Sequence, residues 1–309
     1  MGGSGGRGFF SGRKPADVGA ELRKEEEKTH DQAFDTQIAE RLGELLGDAN
    51  RRDTNAISTA IDEIKEALSA DIEGTVEPIF GGSVRKHTFV DGISDIDILV
   101  ILRDPELKSL PPHEVLEYFE QKAREKLNGW EVSRGNLSVK LRSEGLEIQA
   151  LPAVQEQGKT HIPGARTDRW SKINPQAFFR KLSDTNNKFG GKVVPVIKLV
   201  KIINSEQPAA LQLTGYHVES LAIEAFKTYS GPLNPKAMIE HFFDASRSLV
   251  LAPIRDNTGQ SVHVDGYLGP ANSRIRQEAS AALDRIHRSM KNADTLRSEE
   301  QWLELFGEE

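Results

Sequence analysis

One stretch constrains this chain more than any other: residues 75–102, TVEPIFGGSVRKHTFVDGISDIDILVIL. It reads as a strand, a tight glycine turn, a polar connection and a second strand. Val76, Pro78 and Phe80 lead into Gly81-Gly82-Ser83, and Asp95 and Asp97 sit in an otherwise apolar run ending at Leu102. Residues two apart in a strand face the same side. The spacing therefore sets two carboxylates side by side, where they repel unless a cation neutralises them. Isolated D-x-D sequences are common and most are solvated. Here the pair lies in an apolar run, and burying two charges in a sheet is expensive without a partner. Carboxylate oxygens suit Mg²⁺, which takes one or two of them together with substrate phosphates. Gly81 and Gly82 can take positive φ and let a phosphate approach the backbone, and Ser83 adds a hydroxyl and an N–H. The stretch predicts a nucleotidyl-transfer centre dependent on Mg²⁺ or Mn²⁺.

Composition narrows the alternatives. A length of 309 residues predicts one large domain or two intimate lobes. With 47 acidic and 40 basic residues the net charge is −7, which argues against an extensive nucleic-acid face. There are no cysteines, so disulfides and thiolate metal sites are excluded. No apolar run reaches the ~18 residues of a membrane span, and the first residues lack the apolar core of a signal peptide. The expectation is a soluble cytoplasmic protein. The eight histidines show no zinc-ligand spacing. Gly190-Gly191-Lys192 is followed by Val193, not the Ser or Thr of a P-loop. No G-x-S-x-G elbow marks a serine hydrolase.

Taken in order, residues 1–15 are glycine-rich and expected to be disordered. The charged segment 17–30 reads as a solvated helix or arm. Phe34, Ile38, Leu42, Leu45 and Leu46 mark a helix, and Ile57, Ile61, Ile64 and Leu68 a second one from Thr54. A proline-containing loop after Leu102 leads to a helix over 113–128. Strands over 130–133, 137–141 and 146–152 suggest an antiparallel meander. Residues 155–173 read as polar loop. Helices follow over 175–186, 191–204, 214–229, 235–246, 273–292 and 298–306, with a short β-like piece at 261–264. Asn174-Pro175 and Asn234-Pro235 carry the cap-then-proline pattern of helix starts. The fold class is α+β and bilobal. A mixed-sheet catalytic lobe spans 16–155, a helical lobe spans 156–309, and the site lies in the cleft between them.

The order G-G-S, eleven residues, then D-I-D in an apolar strand resembles the polymerase-beta-like nucleotidyltransferase superfamily. Further segments narrow the resemblance. EIQALPAV (Glu147 to Val154) is similar to a strand that carries a third carboxylate and ends in L-P-A. PVIKLVKIIN (195–204) resembles a spine helix, and TGYHVESL (214–221) an S-Y-H-L-E element. The ending WLELFG also fits. Together, over roughly residues 50–309, these resemble the bacterial cGAS/DncV-like nucleotidyltransferases (CD-NTases), relatives of animal cGAS and oligoadenylate synthase.

The resemblance implies a polymerase-beta-like fold and template-independent joining of ATP and other NTPs into a cyclic di- or trinucleotide. In bacteria such second messengers switch on antiphage (CBASS-type) effectors. It also implies a HORMA-type or ubiquitin-like-conjugation regulator. Residue by residue, Asp95 and Asp97 match the metal pair, and Gly82 and Ser83 the phosphate-holding turn. Lys198 and Lys201 match spine lysines that contact triphosphate, and Tyr216 matches an aromatic that stacks on the donor base. One position departs. Gln149 stands where the family has a third Asp, and Glu147 lies on the same strand face, displaced by ~6–7 Å. Three readings stay open: Glu147 reaches the metal, Gln149 holds the acceptor hydroxyl, or the protein is a weak nucleotide-binding homologue. Nucleotide addition to RNA, or of AMP to protein, remains an alternative enzymatic reading.

Overall fold

The computed structural model describes residues 15–51, 54–69, 76–80, 82–91, 93, 95–143, 145–164, 168–256 and 263–308. The disorder expected for the glycine-rich start falls, but for Pro15, outside the described residues. In chain order the elements are α1 (Pro15–Ala49), α2 (Thr54–Ser69), β1 (Val76–Phe80), α3 (Gly82–Arg85) and β2 (Ile96–Leu102). Then come α4 (Pro105–Ser109), α5 (Pro112–Lys126), β3 (Glu131–Arg134), β4 (Val139–Ser143), β5 (Leu146–Glu156), β6 (Lys159–Pro163) and β7 (Trp170–Ile173). The rest is helical: α6 (Pro175–Lys188), α7 (Val193–Ser205), α8 (Gly215–Ala225), α9 (Pro235–Leu249), α10 (Arg274–Leu296) and α11 (Glu299–Leu303).

The sheet runs β1-β2-β5-β4-β3, and β6 and β7 extend it from the far end of β5. Only the β2–β5 pairing is parallel among these described strands. Strand alternation explains the apolar run around the aspartates. Ile96, Ile98, Val100 and Leu102 enter the core under α2 and α5, while Asp97, Leu99 and Ile101 point to the other face. On β5 the residues paired with these three are Gln149, Leu151 and Ala153. The side facing the helices thus carries one polar pair at its near end and an apolar strip behind it.

Residues 155–173, read from sequence as loop, form β6 and β7 instead. Gln157 and Gly158 both have positive φ, 49° and 72°, and join Glu156 to its partner Lys159. Such a two-residue turn matches the natural twist of a hairpin. The glycine in it was the available signal. The loop expected after Leu102 contains α4, capped by the Asp104 carboxylate, which accepts from the Glu106 and Leu107 amides at 2.7 and 3.0 Å. The β-like piece near 261–264 reduces to one bridge between Arg255 and His263, partly outside the described residues.

The lobes divide differently from the expected break at residue 155. The sheet lobe continues to Ile173, where Asn174 caps α6 through the Ala177 amide at 3.2 Å. The charged arm and the following helix are one 35-residue helix, α1. Its Phe34, Ile38 and Leu42 join the core of the helical lobe, whereas α2 packs under the sheet. The chain therefore starts in the helical lobe, leaves it for the sheet and returns. At the centre of the helical lobe, α7 buries Val193, Val196, Ile197, Leu199, Val200 and Ile203.

Candidate active site

A cleft of about 680 Å³ lies between the sheet and the helical lobe. Asp95, Asp97, Gly82 and Ser83 line it from the sheet side, and Lys201 and Tyr216 from the helices. The expected tight turn is the single helical turn α3. Gly82 sits there at φ 44°, and a Cβ on it would lie 1.6 Å from Asp97 Oδ2. Only glycine leaves room for that carboxylate at the turn. Ser83 is buried, and its Oγ has no hydrogen-bond partner among the described residues.

The aspartates are held in unequal surroundings. Burial pushes the Asp97 carboxyl up to about 6, partly opposed by Lys86 and reinforced by Asp95. Asp95 is also raised, by burial and then by the neighbouring Glu147 charge. Its Oδ2 accepts from Gln149 Nε2, and Ser138 Oγ donates to Gln149 Oε1 at 3.1 Å. The glutamine at the departing position is thus an orienting donor to Asp95. It lies beside Asp97 across the parallel register.

Although its carboxyl lies within hydrogen-bond reach of Asp95, Glu147 is not among the residues that line the cleft. The Arg142 guanidinium donates to it, first of the causes that hold its carboxyl below the ordinary range. Arg142 Nε lies at 3.1 Å and Lys140 Nζ at 3.8 Å. Among the described residues no group of three or more His, Cys, Asp or Glu side chains converges as a metal cluster. The oxygens that do fit a hard dication are the two aspartates, both raised by burial and like charge, beside the unpartnered Ser83 hydroxyl.

The two spine lysines part company. Lys198 is absent from the cleft lining; its Nζ donates to Asn50 Oδ1 at the end of α1. Lys201 lines the cleft but is only 5% exposed, and burial lowers its pKa. Its Nζ donates to Glu219 Oε1 at 3.0 Å and to the Thr88 carbonyl at 2.9 Å. Glu219, a residue given no role from sequence, is the hub. It also accepts from Lys86 Nζ and Thr88 Oγ1. Burial would raise its pKa, yet Lys86 and Lys201 overcome this and hold it low. An acid three residues after Tyr216, flanked in α8 by the apolar Val218, Leu221, Ala222 and Ile223, was the signal for it. Tyr216 packs edge-on against Phe178, with centroids 4.7 Å apart. Its hydroxyl donates to Asp256 Oδ1 at 2.9 Å, which leaves the ring in the cleft wall.

Comparison with known proteins agrees with this geometry. Residues 37–186 match the family described as SMODS, the Second Messenger Oligonucleotide or Dinucleotide Synthetase domain. No curated protein matches the chain by sequence. Among solved structures, Bradyrhizobium diazoefficiens CdnG in complex with GTP aligns at TM-score 0.65 and 14% identity. That match covers 86% of this chain and 94% of that one. Escherichia coli MS115-1 CdnC with ATP aligns at 0.64 and 14%, over 88% and 97% of the two chains. Vibrio cholerae DncV cyclic AMP-GMP synthase aligns at 0.58 and 13%, over 91% and 89%. At these identities the likeness is one of fold. With the SMODS match over residues 37–186 and the glycine-serine turn facing paired aspartates, the chain carries a SMODS domain and has the polymerase-beta-like fold of the cGAS/DncV-like nucleotidyltransferases (CD-NTases).

Proposed function

We propose that this chain is a template-independent nucleotidyltransferase that links NTPs into a cyclic di- or trinucleotide second messenger for antiphage signalling. The observation that carries the reading is the abutment of Gly82 and Asp97: the carboxylate reaches the glycine-serine turn only because no side chain stands at Gly82. The DncV structure in the comparison holds a linear intermediate, 5′ pppA(3′,5′)pG, which is the kind of species such a cleft would close into a ring.

In each round an acceptor hydroxyl oxygen bonds to the α-phosphorus of an NTP. The bond from that phosphorus to the bridging oxygen breaks, pyrophosphate leaves, and the hydroxyl proton passes to solvent. Asp95 and Asp97 are the residues to hold Mg²⁺ or Mn²⁺, which when bound neutralises phosphate charge and acidifies the attacking hydroxyl. Gln149 fixes the orientation of Asp95. The Ser83 hydroxyl is free to donate to a phosphate oxygen. The Tyr216 ring, braced by Phe178, offers a face for a base. Positioning of this kind, with oriented charge, accounts for most of the rate in phosphoryl-group chemistry.

A second reading, nucleotide binding with weak or no turnover, is favoured by one observation: an amide, Gln149, stands at the third carboxylate position. Incubation with radiolabelled NTPs and Mg²⁺ or Mn²⁺, followed by phosphatase, separates the readings. A phosphatase-resistant small product that Asp97→Asn fails to make supports the synthase. Label transferred only to added RNA or protein supports nucleotide addition to those acceptors, and no label supports the binding module. A complex of Escherichia coli CdnC with a HORMA protein is known, and a regulator of that type is proposed for this chain. Among the described residues no helix is long and apolar enough to cross a membrane.

A further inference from the structure

Three acidic and three basic side chains line the cleft: Asp95, Asp97 and Glu219 against Arg85, Lys86 and Lys201. Two of the cations are committed. Lys86 and Lys201 both donate to the buried Glu219 carboxylate, and Lys201 also donates to a backbone carbonyl. Pulling either away to meet a phosphate would leave a buried carboxylate short of a partner, which is strongly unfavourable.

Arg85 is placed differently. Its guanidinium carbon lies 6.0 Å from the centroid of the Phe179 ring, and no carboxylate pairs with it among the described residues. Both residues line the cleft. Contact with a ring through the guanidinium face leaves the N–H edge available. That edge is a planar fork that matches two phosphate oxygens at once. Arg85 also shares its single helical turn with Ser83, whose buried Oγ lacks a partner. A cation without an anion and a hydroxyl without an acceptor thus lie two residues apart on one cleft wall.

We propose that Arg85, braced on Phe179, grips the phosphate tail of a nucleoside triphosphate together with the Ser83 hydroxyl, in the role the family resemblance gave to Lys198 and Lys201. The assignment rests on the nucleotidyltransferase reading. Lys86, Lys201 and Glu219 then form a fixed strut behind the phosphate and not its ligand set.

Isothermal titration calorimetry on the full chain tests this, with α,β-methylene analogues of ATP and GTP in Mg²⁺ and with adenosine and guanosine as parallel ligands. Arg85→Gln and Arg85→Ala are expected to weaken triphosphate binding by ~10- to 100-fold, the range for losing a charged hydrogen bond. Nucleoside affinity should stay within about twofold of wild type on the same scale. Arg85→Lys should fall between. Lys198→Ala should bind triphosphate as wild type does. Unchanged triphosphate affinity in both Arg85→Gln and Arg85→Ala overturns the proposal. So do equal losses for nucleoside and triphosphate, which indicate a collapsed cleft. Failure of the wild-type chain to bind any triphosphate removes the nucleotidyltransferase reading itself, and the Arg85 assignment with it.

Discussion

Lys201 Nζ lies 3.0 Å from Glu219 Oε1, with the two side chains 5% and 1% exposed. The lysine comes from α7 and the glutamate from α8, but the pair also reaches across the cleft. Lys86 and Thr88, on the segment that follows α3, donate to the same carboxylate. One buried acid therefore fastens the segment after the glycine-serine turn of the sheet lobe to the helical lobe.

Glu219→Ala should be the most damaging single change in the cleft. It leaves two poorly solvated ammonium groups without their counter-charge, a situation that costs about 3–5 kcal/mol. Urea denaturation should show a loss of that order. Glu219→Gln, which keeps an acceptor for Thr88, should lose less. A near-neutral Glu219→Ala would show that the strut contributes nothing to the fold.

Asp97 sets stability against function. Its carboxyl titrates near 6 in the folded protein because it is buried, against an ordinary 3.8. Between those values the native state holds a proton that the unfolded chain has released. This group therefore makes folding less favourable as pH rises from about 4 to 6. Asp97→Asn is expected to raise stability in EDTA at pH 7.5 by up to ~3 kcal/mol while abolishing product. Thermal melts in EDTA, paired with the radiolabel assay, check both halves.

His217 pulls the other way. It is fully buried, its Nδ1 is 2.9 Å from Tyr267 OH, and its Nε2 is 3.6 Å from Asp265 Oδ2. Burial lowers its pKa from 6.5 to about 4, opposed by Asp265 and assisted by Arg276. As pH falls below 6.5 the unfolded chain gains a proton that the native protein refuses until about 4. Stability from this group is thus complete above pH 6.5 and falls by up to ~3 kcal/mol across that window. The difference in urea stability between wild type and His217→Gln should vary with pH from 6.5 down to 4 and be level above 6.5. A pH-independent difference would refute the assignment.

Gly82→Ala tests the turn directly. The added methyl meets Asp97 Oδ2 at 1.6 Å and demands a φ of 44° from alanine. A displacement of about 1 Å in a positioning group lowers turnover by ~100-fold. The loss should appear in kcat, with circular dichroism still showing a folded protein.

The parts of this site that are local in sequence were legible. Two aspartates one residue apart on a strand share a face whatever the fold, and two successive glycines before a serine mark a close approach. The division of labour between Lys198 and Lys201 was not legible. Three residues on a helix leave them on one broad face, and only tertiary packing turns Lys201 inward and Lys198 toward Asn50. Glu219 was hidden for the same reason, since its partner Lys86 is 133 positions away. The apolar stripe of α1 was plain, but no periodicity says which lobe will cover it. The hairpin of β6 and β7 escaped because its strands are short and carry adjacent polar residues, Lys159-Thr160-His161 in one and Ser171-Lys172 in the other, which break the period-two pattern.

The segment just after α3 has one more attachment. Asp91 N donates to Ala49 O at the end of α1, at 3.2 Å, so three helices of one lobe hold a connection that begins and ends in the other. The halves of this molecule are buttoned together along one wall of the groove. They cannot part like jaws without first undoing the Glu219 fastening, so under the proposed function a nucleotide would have to enter along the groove and not through a hinge opening.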